Sequence, residues 1–316
     1  MRRTRTVAAA AAVLTVLLTG CSAAASAEGQ TASVTVGVMP GADLAPLYVG
    51  IKDGIFAEHG IDVTVHSLAA TTADIVRAVD EGRYDIGYAD IISILAAQEN
   101  GSELQIVSGA ADTSGDARAD YAGIVTAASD IDDVSDLTGR KVAVDTLGTT
   151  NEVVVRAAVD AAGGNSSTMT LEAIPFINAR KAIEGGMVTA ALMVEPYLTA
   201  ARLDGLRIIS HPYAEFDEKL TVSGYFTSTA TASERSDVVE SFVAALAESF
   251  EAAESNDNAV RTNISTFLSS DARVRTRLIL PAFSTEIDRD AAQALADSAL
   301  EYGLIARAPD LGALLP

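Results

Sequence analysis

Ser33-Val-Thr-Val-Gly-Val-Met39 alternates apolar and polar residues, and this period of two predicts a half-buried β-strand. A helical pattern follows over residues 47–59 and ends at Gly60. The next stretch, Ile61-Asp-Val-Thr-Val-His66, alternates again and predicts a second strand. A strand, a helix and a strand in this order predict a parallel βαβ unit, because parallel strands need a long crossover between them.

The same plan recurs further along the chain. A second series begins near residue 123 and contains a strand at 141–145, a loop, and a helix at 151–162. From residue 233 the pattern becomes almost wholly helical. We therefore expect an α/β protein with two lobes, covered sheets of parallel strands, and a helical C-terminal segment. The predicted first lobe takes residues 33–120 and 225–316, and the second takes residues 121–224.

Composition excludes several classes of protein. The 316 residues include 22 basic and 43 acidic side chains, which gives a formal charge of −21. Nucleic-acid binding needs concentrated Lys and Arg, so we expect no nucleic-acid partner. The only cysteine is Cys21, which excludes an internal disulfide framework and a cysteine-rich metal site. We also expect no metal and no cofactor.

The N-terminal residues resemble a secretory signal sequence. Three arginines precede a 12-residue apolar stretch from Val7 to Leu18, which is short for a membrane span but typical of a signal peptide. Leu18-Thr-Gly-Cys21 resembles the lipobox of bacterial lipoproteins. The resemblance implies that residues 1–20 are a signal peptide, that Cys21 is lipidated on the outer face of the cell membrane, and that residues 21–32 form a tether. The alternative is an ordinary signal peptide with an incidental thiol.

Four blocks resemble, in family order, the SsuA/THI5-like (NMT1-like) substrate-binding proteins of ABC importers. They are Leu44–Val65, Ala78–Ala89, Asp136–Val144 with Gly148-Thr-Thr150, and Ile183–Tyr197, which ends in Glu195-Pro-Tyr197. The resemblance implies a type II clamshell like that of periplasmic binding proteins, with a ligand cleft between the lobes. It also implies a permease and an ATPase as partners. We expect a monomer.

Ligand-binding candidates lie at or just past the carboxyl ends of predicted strands, where an open α/β sheet places its crevice. They are Asp43, Tyr48, Asp90, Thr149, Thr150, Asn151 and Glu195. The helix start at Gly148–Asn151 favours an anion or another acceptor-rich group, unless Thr149 or Thr150 is simply its N-cap. Each carboxylate could instead be structural: Asp43 and Asp90 in solvated loops, and Glu195 at a hinge or paired with an arginine. Tyr48 could equally pack a helix.

The acidic candidates favour a neutral or amine-bearing ligand, such as a pyrimidine-type vitamin precursor. A sulfonate or nitrate remains an alternative, since a helix start and hydroxyls can hold one without a basic side chain. Two other functions stay open: a ligand-sensing surface lipoprotein, and an enzyme similar to the THI5-like pyrimidine synthase. That relative uses a cysteine-rich motif and a lysine that carries pyridoxal phosphate, and Cys21 is the only cysteine here. We therefore expect no catalytic activity and no catalytic residues.

Overall fold

The computed structural model describes residues 31–67 and 71–316. The predicted signal peptide, the lipidation site at Cys21 and nearly all of the predicted tether lie outside the described residues. Within the described part, no helix is both long enough and apolar enough to cross a membrane.

Eleven strands form two sheets in the described part of the chain. In chain order they are β1 (Ala32–Val38), β2 (Ile61–Ser67), β3 (Ile86–Asp90), β4 (Leu104–Asp112), β5 (Ala122–Thr126), β6 (Lys141–Val144), β7 (Thr170–Ala173), β8 (Ala190–Val194), β9 (Arg207–Ser210), β10 (Thr221–Ser228) and β11 (Ala282–Phe283). The first sheet has the order β11-β4-β10-β3-β1-β2, and the second has the order β7-β6-β8-β5-β9. Each sheet is the centre of one lobe, so the predicted two-lobed α/β class is confirmed.

The α-helices cover and connect the two sheets. They are α1 (Ala45–Asp53), α2 (Ile55–Glu58), α3 (Thr72–Asp80), α4 (Ile91–Glu99), α5 (Thr150–Ala161), α6 (Phe176–Glu184), α7 (Tyr197–Leu203), α8 (Pro212–Phe216), α9 (Thr229–Glu234), α10 (Ser236–Glu254), α11 (Asp257–Phe267), α12 (Ala272–Arg275), α13 (Arg289–Glu301) and α14 (Leu311–Leu314).

The single helix predicted over residues 47–59 is wrong, because Gly54 divides it into α1 and α2. Gly54 has a φ of +84°, a left-handed conformation that glycine adopts at little cost. Its N–H donates to the carbonyls of Gly50 and Ile51, which closes the C-terminus of α1. The sequence pattern could not show this, because the apolar spacing continues across the break.

Both sheets are mixed, which corrects the expectation of purely parallel ones. β1 pairs in parallel with β2 and β3, and β6 pairs in parallel with β7 and β8. By contrast, β10 is antiparallel to β3 and β4, and β5 is antiparallel to β8 and β9. β5 and β10 are the strands that follow the two passages of the chain between the sheets. The predicted boundary at residues 224 and 225 falls inside β10, all of which belongs to the first sheet.

The C-terminal helices join the two lobes. α10 and α11 pack on α1 of the first lobe, where Phe242 and Leu246 are buried against Leu47. α13 contacts α4 of the first lobe and α5 of the second. One apolar cluster therefore runs through Ile92, Val153 and Leu295, all fully buried. Burial of this kind contributes about 25 cal/mol per Å² of apolar surface, so the cluster stabilises the contact between the lobes as well as each lobe.

Candidate functional site

The start of α5 faces the first lobe. β6 delivers the chain to Asp145, and Thr149 occupies the N-cap position of α5 in an extended conformation. The Thr149 side chain does not cap the helix; its hydroxyl donates to the carbonyl of Thr146, with 3.0 Å between the oxygens. The first N–H groups of a helix have no partner within the helix, so another group has to satisfy them.

Asp90 of the first lobe supplies that group. Its Oδ1 accepts hydrogen bonds from the N–H of Thr150, at 2.9 Å, and from the hydroxyl of Thr150, at 3.1 Å. The same carboxylate caps its own helix, α4, by accepting from the N–H of Ser93 at 3.1 Å and from its hydroxyl at 2.5 Å. The structure thus brings the two predicted residues Asp90 and Thr150 together, as partners of each other.

Asp43 lies in the loop after β1 and is bound by a tyrosine. The hydroxyl of Tyr88, on β3, donates to Oδ2 of Asp43 and also lies 2.6 Å from the hydroxyl of Ser223 on β10. Burial raises the pKa of Asp43, and the hydrogen bond from Tyr88 partly offsets that rise. The pKa of Tyr88 is raised well above its usual value, first by burial and then by the charge of Asp43.

A second chain of polar contacts lies on the second lobe. Asn151 donates from Nδ2 to Oδ1 of Asp145 at 2.6 Å and accepts from the hydroxyl of Tyr213. Burial, together with the charge of Asp90, raises the pKa of Asp145 to about 6. The pKa of Tyr213 is raised well above its usual value by burial, and next by the charges of Asp145, Asp43, Asp120 and Asp90. Tyr213 therefore lies among carboxylates from both lobes.

Tyr121 packs beside Tyr213 in the same buried region. It follows the first passage between the lobes, its side chain is 4% exposed, and its ring centroid is 5.3 Å from that of Tyr213. Its buried hydroxyl has no hydrogen-bond partner among the residues that the structure describes. An unpaired buried hydroxyl costs free energy, so such a group calls for a partner.

We call Asp43, Asp90, Asp145, Tyr88, Tyr121 and Tyr213 the acidic tyrosine cluster. Of these six residues, only Asp43 and Asp90 are among the ligand-binding residues predicted from the sequence. Tyr88 is the middle residue of β3, and Tyr121 and Tyr213 lie in the passages between the sheets. Position in a passage between the lobes was the available signal for Tyr121 and Tyr213.

Three predicted residues have side chains that form no hydrogen bond with the side chains of the cluster. They are Tyr48, Glu195 and Thr149, whose hydroxyl donates to Thr146. The ring of Tyr48 stacks on that of Phe267 in α11, with centroids 4.1 Å apart. Glu195 is 1% exposed, and its carboxylate accepts from the N–H and hydroxyl of Thr199 and from the N–H of Ile279. Glu195 therefore links the second lobe to the C-terminal segment, and its carboxylate accepts hydrogen bonds from protein donors. This agrees with the alternative that Glu195 is a structural residue at a hinge. Its partners are threonine and backbone donors and not an arginine.

The carboxylates of the acidic tyrosine cluster have no basic partner among the described residues. In the described part of the chain, no lysine or arginine forms an ion pair or hydrogen bond with Asp43, Asp90 or Asp145. Elsewhere carboxylates do have such partners: Glu152 pairs with Arg156 at 2.7 Å, and Asp85 pairs with Arg235. Nor do the described residues place three His, Cys, Asp or Glu side chains so as to hold a metal ion.

A groove of about 310 Å³ opens beside the start of α5, between the lobes. One wall comes from α3 and α4, including Val76, Arg77 and Ser93, and the other comes from the loop at residues 146–149. Arg77 is more than half exposed there and pairs with Asp74 at 2.5 Å. The groove therefore lies beside the starts of α4 and α5, where Ser93 and Thr149 line it.

Two mixed sheets, two passages between them and a polar interior at the strand ends define the two-lobed fold of periplasmic binding proteins. The fold matches that of the alkanesulfonate-binding protein SsuA from Xanthomonas axonopodis pv. citri, bound to MOPS, with a TM-score of 0.77 and 19% identity over 90% of this chain and 98% of that one. It also matches the aliphatic sulphonate binding protein SsuA from Escherichia coli, with a TM-score of 0.74 and 19% identity over 89% and 91% of the two chains.

A third similar structure is the nitrate-binding protein NrtA from Synechocystis PCC 6803, with a TM-score of 0.75 and 11% identity over 90% of this chain and 86% of that one. None of the curated proteins matches the chain. The family described as NMT1/THI5 like matches residues 42–259, which is more than half of the sequence. The chain belongs to this NMT1/THI5-like family.

Proposed function

We propose that this protein is the extracytoplasmic substrate-binding lipoprotein of an ABC importer, and that it binds a small nitrogen-bearing molecule between its lobes. One observation carries the proposal: the acidic tyrosine cluster gathers three carboxylates from both lobes, and no basic side chain of the described residues is bonded to them. In this proposal Cys21 carries the lipid anchor, the protein is a monomer, and a permease and an ATPase receive the ligand.

The chemistry of the cluster favours donors on the ligand. A carboxylate withdrawn from water is stabilised by an N–H or ammonium group, and hydrogen bonds to charged groups contribute about 1.5–3 kcal/mol. The raised pKa values of Asp43 and Asp145 reflect the lack of such compensation, since burial is the largest cause of both shifts. A ligand that brings an amine or an aminopyrimidine ring would supply it.

The tyrosines add selectivity for shape. The face of a tyrosine ring can pack against a flat ring of the ligand or against a cation. A cation over the negative face of an aromatic ring is stabilised by about 0.5–2 kcal/mol. The Tyr121 hydroxyl is buried and unpaired among the described residues, so it can hydrogen-bond a ligand without giving up a protein contact. Tyr88 and Tyr213, by contrast, already donate to Asp43 and Asn151.

Entry of a ligand requires the lobes to separate. Asp90, a member of the acidic tyrosine cluster, is hydrogen-bonded to Thr150 across the boundary between the lobes. The two passages of the chain, at residues 113–121 and 211–220, lie between the sheets and can serve as the hinge. Opening exposes the carboxylates, and closure around a ligand exchanges the bonds within the protein for bonds to the ligand.

A thermal-shift screen of the purified protein tests the proposal. The panel contains aminopyrimidines, alkylamines, quaternary ammonium compounds, alkanesulfonates and nitrate. A ligand at a hundred times its Kd adds about 2.7 kcal/mol to the free energy of unfolding, so a true ligand gives a clear rise in Tm. We expect this rise with nitrogen-bearing compounds. A rise with sulfonate or nitrate alone would contradict the proposed ligand class.

A further inference from the structure

The starts of α4 and α5 converge on one point. α4 has nine residues and belongs to the first lobe, and α5 has twelve and belongs to the second. The first N–H groups of each helix lack partners within the helix, and each helix start carries about half a positive charge. Besides the bonds to Asp90, the N–H of Ile92 in α4 lies 3.4 Å from the Thr150 hydroxyl. Two helix starts that meet in this way are a favourable place for a negative charge.

The chain fills that place with its own carboxylate. Asp90 accepts four hydrogen bonds, two from Ser93 of α4 and two from Thr150 of α5. A residue that served only as the N-cap of α4 would need the bonds from Ser93 alone. The bonds to Thr150 reach a residue 60 positions away on the other lobe, and they replace the cap that Thr149 does not provide.

We propose that Asp90 is a specificity-determining residue: its carboxylate occupies the converging helix starts as a built-in anion and thereby excludes ligands with a negative group. An incoming sulfonate or nitrate would have to displace a carboxylate that is covalently part of the site, or else sit beside it and be repelled. The inference rests on the proposed function, because it takes the cleft between the lobes as the ligand site.

The surrounding residues point to a ligand at the same place. The pKa of Tyr213 is raised by burial and also by the charge of Asp90, and the ring of Tyr213 packs against that of Tyr121. The Tyr213 hydroxyl donates to Asn151, the residue after Thr150, so Tyr213 links α5 to Tyr121, whose hydroxyl is buried and unpaired within the described residues. The groove lined by Ser93 and Thr149 opens to solvent beside the same two helix starts. The negative charge of Asp90 thus lies where a ligand would meet it.

The experiment replaces Asp90 with serine. Serine is as good an N-cap as aspartate, so Asp90→Ser keeps the cap of α4 while it removes the charge and leaves room. Asp90→Asn removes only the charge and is the variant to use if Asp90→Ser does not fold. Asp271→Ser is the matched control, because Asp271 caps α12 through the N–H of Arg273 and makes no bond to the second lobe.

Methanesulfonate and nitrate are the probes, and calorimetric titration measures their binding to the full chain. We expect Asp90→Ser to bind at least one of them ten or more times more tightly than wild type and Asp271→Ser do. Equal affinities in Asp90→Ser and Asp271→Ser would overturn the inference, and so would tight binding by wild type. Failure of wild type to bind any nitrogen-bearing compound would overturn the proposed ligand class instead. The two failures can be told apart, because anion binding by Asp90→Ser is measured independently of nitrogen-compound binding by wild type.

Discussion

The backbone N–H of Thr150 donates to Oδ1 of Asp90 across the boundary between the lobes, with 2.9 Å between the nitrogen and the oxygen. The Thr150 hydroxyl donates to the same oxygen at 3.1 Å, so one carboxylate atom accepts two hydrogen bonds from the start of α5. Because Asp90 is also the N-cap of α4, the contact joins two helices that belong to different sheets.

Thr150→Val should loosen the contact between the lobes. The change keeps the shape of the side chain and removes the hydroxyl that donates to Asp90, which should lower the free energy of unfolding by about 1–3 kcal/mol. Small-angle scattering should show a larger radius of gyration in the variant. Thr149→Val is the control, since the Thr149 hydroxyl donates within its own lobe, to Thr146. Equal radii for the two variants would show that the hydroxyl of Thr150 does not hold the lobes together.

Tyr121→Phe should weaken ligand binding without lowering the free energy of unfolding. The hydroxyl has no hydrogen-bond partner within the described residues, so its removal should leave the free energy of unfolding unchanged or raise it by about 1 kcal/mol. The same change should weaken binding of the nitrogen-bearing ligand by about 1 kcal/mol. Tyr213→Phe should instead destabilise the protein, because that hydroxyl donates to Asn151. Urea unfolding and calorimetry measure the two effects, and unchanged affinity in Tyr121→Phe would place the ligand elsewhere.

Asp145→Asn should stabilise the protein in a pH-dependent way. The pKa of Asp145 is raised from an ordinary 3.8 to about 6, chiefly by burial. An acid whose pKa is raised in the folded state lowers stability as the pH rises from about 4 to 6, because the folded state binds the proton more tightly than the unfolded state does. The variant should therefore gain up to about 3 kcal/mol over wild type at pH 7, and nothing below pH 4.

Urea titrations at pH 4, 5, 6 and 7 measure this difference. Asp116→Asn is the control with the opposite sign, because the pKa of the exposed Asp116 is lowered, first by the hydrogen bond from the Arg118 side chain. Asp116 therefore stabilises the protein above pH 4, and that contribution is lost as the pH falls through its lowered pKa. A gain from Asp145→Asn that is the same at all four pH values would contradict the assignment.

Glu195→Ala should destabilise the protein without a matching loss of affinity. The change leaves the donors of Thr199 and the N–H of Ile279 without their acceptor, and each unpaired buried donor costs about 1–3 kcal/mol. We expect a total loss of about 2–4 kcal/mol in the free energy of unfolding. Calorimetry at a temperature where the variant is folded gives the affinity. A variant that is as stable as wild type but binds the ligand poorly would show that Glu195 belongs to the ligand site.

Cys21→Ser should abolish membrane anchoring. Cys21 lies in the stretch Leu18-Thr-Gly-Cys21, and lipidation needs its sulfur. The variant should appear in the medium or remain as an uncleaved precursor, whereas Ser22→Ala should stay in the membrane fraction like wild type. Fractionation with fatty-acid labelling measures both. A Cys21→Ser protein that is processed and retained in the membrane would show that the anchor does not depend on this residue.

Local patterns in the sequence determined the elements and the plan of two lobes. The alternation at residues 33–39, the helix start at Gly148–Asn151 and the helical C-terminal segment each depend on neighbours within one turn or one strand, so they can be predicted from spacing. The family blocks added the clamshell, and the family match over residues 42–259 agrees with them.

Only the tertiary structure decided which polar groups meet. Asp90 and Thr150 are 60 positions apart, and Glu195 and Ile279 are 84 positions apart. Such pairs depend on how the two lobes close and on where the C-terminal segment crosses them, and no local pattern encodes that geometry. A carboxylate at a strand end has the same sequence signature whether it faces a ligand or a helix start. The difference arises from which donors the folded chain brings within hydrogen-bond distance of it, about 2.7–3.2 Å between the two atoms.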